Sequence, residues 1–187
     1  MNLLEAIKER RSVRDYTEKP VDENLIKELI NLAVWAPTGS NSQPWHFAAV
    51  ENAGFLKRWS DLAKGYQLAR VSKGGVWEKY KANMERPDYH VFYNAPVLVA
   101  IYGDTVCPNY REDCSMAALT LMMAAQAKGL GCCWIGFAVG AGNLPEIKEA
   151  LGMHEGLKLV APIILGYPRV IPKGPVRRKP LISRWIK

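Results

Sequence analysis

The sequence predicts one mixed α and β domain, and three observations predict it. The chain has 187 residues, 49% hydrophobic and 23% charged, the size and balance of one folded unit with its own core. Several stretches repeat apolar residues at helical spacing. Between them lie short continuous apolar runs, Ala95–Tyr102 and Leu159–Tyr167 among them, which read as buried strands. Both are far shorter than the roughly 20 residues of a membrane span.

Each element has its own warrant. Asn2 with Glu5 three residues on is a capping pair, and Leu3, Leu4 and Ile7 give the helix after it one apolar face. A second helix starts near Asp22 with Leu25, Ile26, Leu29, Ile30 and Ala33, and must end before Pro37. Pro37–Pro44 is a loop, and Trp45–Val50 a strand. Phe55, Trp59, Leu62 and Tyr66 mark a third helix. Residues 71–94, rich in Lys, Gly and Tyr, read as a mobile excursion. Ala95–Tyr102 is a buried strand, and a long buried helix carries Cys114, Ala117, Ala118, Leu121, Met122 and Ala125, with Gly129 at its C-terminal cap. Cys132–Phe137 and Leu157–Leu165 are further strands, and Asn143 with Glu146 caps a short helix between them, closed by Gly152. No repeat or long linker divides the chain, so one domain over 1–187 is expected, with a variable lid at 66–94 and a basic tail at 167–187.

Several function classes drop out. The first ten residues carry charges at every turn, unlike a signal peptide, so a cytoplasmic protein without membrane contact is expected. The cysteines, Cys107, Cys114, Cys132 and Cys133, contain no C-x-x-C pair, and His46, His90 and His154 are scattered. Reduced thiols and no metal site are expected. Gly129–Gly136 precedes a strand instead of following one, and Gly140-Ala141-Gly142 lacks a third glycine, which argues against dinucleotide-fold and P-loop phosphate motifs.

The net charge is +7, and all of it belongs to the end of the chain. Lys158, Arg169, Lys173, Arg177, Arg178, Lys179, Arg184 and Lys187 meet no acid after Gly156. Three readings stand: a nucleic-acid arm, a solvated tail, or a segment folding back to complete an anion site. The partner for such a site is Arg10-Arg11-Ser12-Val13-Arg14. If extended, it puts Arg10, Ser12 and Arg14 on one side, two guanidinium forks around a hydroxyl. The simpler alternative is that these cations complement a helix C-terminus. Pro37–Pro44 adds the amides of Asn41 and Gln43 and the hydroxyls of Thr38, Ser40 and Ser42, suited to a heteroaromatic ligand or to an ordinary turn.

These segments together resemble the nitroreductase family of FMN-dependent NAD(P)H oxidoreductases. The likeness rests on Arg10-Arg11-Ser12-Val13-Arg14, on Ala36–Trp45, on Gly129–Gly136, and more loosely on Gly166-Tyr167-Pro168 with Arg177–Pro180. It covers nearly the whole chain except about 55–94. The resemblance implies an α+β fold, a central antiparallel-rich sheet flanked by helices in an intertwined homodimer, with FMN in each of two interfacial sites. Arg10 and Arg178 would hold the phosphate, with Arg11 and Lys179 nearby. Ser12 and Arg14 would face the ribityl chain and the pyrimidine edge. Pro37, Thr38, Gly39 and Asn41, with Gln43 close by, would come from the other subunit, and Trp134, Ile135 and Gly136 would lie along the dimethylbenzene and N5 side. Ile135 stands where many relatives have an acid. Tyr66, Trp77, Tyr80 and Tyr89 are expected to shape the substrate pocket.

The implied reaction passes a hydride from NAD(P)H through flavin N5 to a nitroaromatic, quinone or similar small-molecule acceptor by a ping-pong mechanism, with no catalytic side chain. The alternatives are a reductase or dehydrogenase specialised for one metabolite, a nucleic-acid-binding module, and a structural dimer without cofactor.

Overall fold

The computed structural model describes residues 2–75 and 78–187. Helix α1 (Leu3–Glu9) opens with the expected capping box: Asn2 accepts from the Glu5 amide and Glu5 accepts from the Asn2 amide, both at 2.9 Å. Its apolar residues are not a core face, however. Only Ala6 is buried, while Leu3, Leu4 and Ile7 stand 57–67% exposed. Helix α2 (Glu23–Ala33) is capped by Asp22. After the loop come β1 (Trp45–Val50) and α3 (Ala53–Leu68).

Residues 78–94 are folded against the body, which corrects the expectation of an excursion there. A 3₁₀ turn at Glu78–Tyr80 leads into α4 (Lys81–Glu85), and Met84, Val91 and Phe92 are buried. The buried Ser60 hydroxyl of α3 accepts from the Val91 amide at 2.8 Å, tying the segment down.

Then follow β2 (Val97–Asp104), α5 (Tyr110–Ala127), β3 (Gly131–Trp134), α6 (Ala138–Gly142), α7 (Pro145–Ala150) and β4 (Leu157–Gly166). The third strand ends three residues sooner than expected, because the chain turns at Ile135 into α6. Asn143 does not cap α7, whose N-cap is Leu144 with Pro145 following. Instead Asn143 donates to the Val139 carbonyl of α6 and accepts from the Leu159 amide of β4.

The four strands form one antiparallel sheet in the order β1-β2-β4-β3. Helices cover both faces, so the central strands read as unbroken apolar runs instead of alternating. In β2, Leu98, Ala100 and Tyr102 enter the core under α3 and α6, while Val97, Val99 and Ile101 enter the core under α2 and α5. In β4 the pairing register shifts between Leu159 and Ala161, and that irregularity moves later odd-numbered residues to the other face. Adjacent Cys132 and Cys133 point into opposite cores for the same period-2 reason. All four thiols are free. Burial pushes the Cys132 and Cys114 thiols up to about 12, so both stay protonated near neutrality. Among the described residues no helix is long and apolar enough to cross a membrane, and no group of three metal-ligating side chains converges.

Candidate functional site

The chain leaving α1 is extended and adds itself to the β3 edge of the sheet. Ser12 bridges Cys132 in parallel, and the Val13 amide donates to the Cys132 carbonyl at 3.0 Å. Gly131 permits this approach, since a Cβ there would sit 2.8 Å from Val13 side-chain carbons. With Val13 buried inward, Ser12 and Arg14 share the opposite side. Arg10 lies against the Cys132 thiol, and its charge pulls against the upward shift that burial imposes there. Its Nη1 is buried with no hydrogen-bond partner among the described residues. A buried guanidinium N–H without an acceptor is costly and marks a place for an anion. Arg11, by contrast, turns back: its Nη1 donates to the Lys8 and Arg10 carbonyls at 2.7 and 2.9 Å, the helix-end role of a cation.

Around Arg14 lies a pocket of about 220 Å³, walled also by Tyr80, Val91, Tyr93, Trp134, Ile135, Gly136 and Phe137. Arg14 is its single charged group. The Arg14 guanidinium donates to the Ser12 carbonyl at 3.3 Å and lies 5.8 Å from the Tyr93 ring centre. Tyr80 packs edge-on to Phe137 at 5.0 Å, and the Phe137 carbonyl accepts from Gln67 of α3. The Tyr89 and Tyr93 hydroxyls approach to 3.4 Å, and burial holds the Tyr89 phenol well above its ordinary range. Tyr93 and Asn94 both have left-handed backbones, φ 53° and 52°. For a bulky residue such as Tyr93 this is strain that surrounding packing must hold, and it turns the ring toward Arg14. A larger groove along α3, about 740 Å³, is lined by Lys57, Arg58, Asp61 and Tyr66. Its charges pair with protein groups, Lys57 with Asp61 and Arg58 with Glu146, so nothing in it awaits a ligand.

The loop lies elsewhere. Gly39–Asn41 form a 3₁₀ turn, and Ser40, Asn41 and Gln43 all have positive φ. The Gly39 amide donates to the Asp113 carboxylate at 3.1 Å, and the Ser42 hydroxyl donates to it at 3.1 Å. Gln43 donates to Asn41 Oδ1. The loop feeds β1, whereas Ser12 sits beside β3, the strand at the opposite edge. Four inter-strand steps of about 4.8 Å, with a six-residue offset along β2 from Val97 to Gly103 at about 3.3 Å each, put the two groups well over about 20 Å apart.

The structure therefore brings Arg10, Ser12, Arg14, Trp134, Ile135, Gly136, Tyr80 and Tyr89 to one region. It does not bring Pro37, Thr38, Gly39, Asn41 and Gln43 there. Tyr66 is also apart: it packs α3 onto α6, where a Cβ on Gly140 would fall 2.1 Å from its ring, and its hydroxyl accepts from Arg70. Trp77 lies outside the described residues. The tail runs antiparallel beside residues 15–17, through the Tyr16–Pro168 bridge and the Arg169–Asp15 ion pair, then crosses the Arg11 guanidinium at Gly174. Arg178 and Lys179 are exposed four and five residues further on and make no hydrogen bond or ion pair among the described residues. Sequence reasoning missed Tyr93, Phe137 and Asp113. The Tyr89-x-x-x-Tyr93 spacing was a usable signal, but nothing separated Asp113 from its neighbour Glu112.

The Nitroreductase family model matches residues 7–167. A protein of Archaeoglobus fulgidus provisionally named as an NADH dehydrogenase/NAD(P)H nitroreductase is 26% identical over 171 residues, covering 89% of this chain and 85% of that one. An iodotyrosine deiodinase of Thermotoga neapolitana is 28% identical over 189 residues, 98% and 97% of the two chains. Among solved structures, a Bacteroides fragilis nitroreductase with bound FMN superposes with a TM-score of 0.85 at 26% identity, covering 98% of each chain.

Proposed function

Since the chain belongs to the nitroreductase family, we propose that it is an FMN-dependent oxidoreductase that passes reducing equivalents from NAD(P)H to a nitroaromatic, quinone or similar acceptor. Two observations on one extended segment carry this reading: the buried, unpartnered Nη1 of Arg10, and a pocket whose one lining charge is Arg14, four residues on. A phosphate oxygen satisfies the first, and a flat heteroaromatic ring with an electron-rich edge fits the second. FMN, when bound, supplies two-electron hydride chemistry, leaving the protein to bind, orient and tune.

In this reading Arg10 takes the phosphate with Arg178, which the chain beyond Gly174 can bring within about 14 Å of Arg11; Arg11 and Lys179 support them. Ser12 and Arg14 meet the ribityl chain and the pyrimidine edge, and Trp134, Ile135 and Gly136 the remaining ring edge. Pro37, Thr38, Gly39, Asn41 and Gln43 come from a second copy of the chain, because one copy holds them at the far edge of its own sheet. The exposed Leu3, Leu4 and Ile7 of α1 fit burial in that homodimer. Free cysteines without disulfide partners fit a reducing compartment, the cytoplasm.

The test is direct. Purified protein is expected to be yellow and to release one FMN per chain on denaturation. Initial rates at varied NAD(P)H and acceptor are expected to give the parallel lines of a ping-pong scheme. Release of FAD, or a colourless protein that takes up no FMN, would overturn the assignment.

Arg14 has a separate signature. Negative charge grows at the ring edge on reduction, so Arg14→Ala is expected to lower the two-electron potential. A loss of about 1.4 kcal/mol in differential stabilisation corresponds to about 30 mV, and a shift of several tens of millivolts relative to Arg10→Ala is expected. Equal potentials in the two flavin-saturated variants would mean that Arg14 only helps to retain the cofactor.

A second reading, a reductase specialised for one aromatic metabolite, is favoured by the Tyr80, Tyr89, Tyr93 and Phe137 cluster and by the deiodinase likeness. One aromatic acceptor turned over far faster than nitroaromatics and quinones would select it.

A further inference from the structure

We infer that Asp113 is a positioning residue that holds the Pro37–Gln43 loop in the shape its ligand meets; this rests on the reading above, in which that loop completes a cofactor site. Among the described residues Asp113 is the one buried carboxylate, 1% exposed. It sits in the first turn of α5, where the helix dipole favours an anion. Its oxygens do not cap its own helix. They reach across more than 70 residues of sequence to the Gly39 amide, at 3.1 and 3.3 Å, and to the Ser42 hydroxyl at 3.1 Å.

What it holds is a strained piece of chain. Ser40, Asn41 and Gln43 carry φ of 52°, 54° and 45° within four residues. Asparagine tolerates that region, but serine and glutamine do so only where neighbours impose it. Asp113 grips the loop on both sides of the left-handed pair. Asn109 closes in from the same helix end: a Cβ on Gly39 would fall 2.6 Å from its Nδ2 and would push that carboxamide aside.

The arrangement also sorts the loop's polar groups. The Gly39 amide is spent on Asp113, and its carbonyl accepts from the Ser42 amide at 3.0 Å. Gly39 therefore has no amide N–H left for a ligand, and its carbonyl keeps one lone pair. The Asn41 carboxamide, already oriented by Gln43 at 3.0 Å, is exposed on the loop beside the Ser40 hydroxyl. The ordering cost is met before the ligand arrives, which raises affinity without adding a contact.

The experiment compares Asp113→Ala, Asp113→Asn and Ser42→Ala with the parent as flavin-reconstituted protein, reading FMN affinity, the visible circular dichroism of bound flavin, and apoprotein melting. Asp113→Ala is expected to weaken FMN binding about tenfold or more, the scale of losing charge-assisted hydrogen bonds, and to alter the dichroism. Asp113→Asn keeps an oxygen able to accept both bonds and is expected to recover most of the affinity and the parental band. Ser42→Ala, which loses one bond, is expected to fall between them and carries the test if Asp113→Ala does not fold. Parental FMN affinity and dichroism in Ser42→Ala and Asp113→Ala, whatever happens to apoprotein melting, would overturn the inference. A parent chain that binds no FMN would instead overturn the functional reading beneath it.

Discussion

Arg10→Ala is expected to weaken FMN binding by about 10- to 150-fold. The figure is the loss of one charge-assisted hydrogen bond, about 1.5–3 kcal/mol. Its sign on stability separates it from a folding defect. In the free protein Nη1 is buried without an acceptor, so removing it relieves a desolvated donor, and apoprotein melting is expected to hold or rise slightly. The holoprotein should melt lower, because the stabilisation a ligand confers scales with its occupancy. Arg10→Lys is expected to lie between, keeping the charge but losing the fork that grips phosphate oxygens. Fluorescence titration of apoprotein with FMN, beside melting curves with and without FMN, reads all of this. Parental affinity in Arg10→Ala would move the phosphate away from the β3 edge.

Trp59→Ala is expected to cost about 3–5 kcal/mol of stability, the range for deleting a fully buried large aromatic side chain. Trp59 is completely buried between Phe55 and Phe92, with ring centres 6.1 and 5.5 Å away in edge-on packing. Its Nε1 points at the Ala138 carbonyl from 3.4 Å, and a Cβ on Gly142 would fall 2.6 Å from its ring. One side chain thus joins α3, the segment before β2 and α6, so the cavity has little to collapse into it. For a chain of this length the melting temperature should fall by roughly 10 °C. Urea unfolding of apoprotein at matched protein concentration measures it, since any dimer makes stability concentration-dependent. A midpoint change worth less than about 1 kcal/mol would show that α6 does not depend on this contact.

How much of this was legible in the sequence follows the range of each interaction. The capping box at Asn2 and Glu5, the Asp22 cap, and the left-handed glycines at 129 and 152 are decided within a few residues, and all were readable. The apolar runs of β2 and β4 were readable too, because burial on both faces leaves no alternation to misinterpret. Where a local signal was overridden, the reason was distant. Asn143 resembles a helix cap, but a β4 amide claims its side-chain oxygen. Leu3, Leu4 and Ile7 have the pattern of a core face, yet they stand exposed among the described residues.

By itself, then, the sequence determined the elements, the two central strands and the two motifs, at Arg10–Arg14 and Pro37–Asn41, that carry the family likeness. Which side chains meet was decided only by the tertiary structure. Sheet order sends those motifs to opposite edges, and a register shift in β4 selects which residues enter each core. Packing of α3 on α6 draws Tyr66 against Gly140 and leaves Tyr80, Tyr89 and Tyr93 around Arg14. Asp113 finds Gly39 across a sequence separation of 74. Propensity and periodicity act over a turn or a strand, whereas these pairings depend on how layers stack. Only the folded chain sets that.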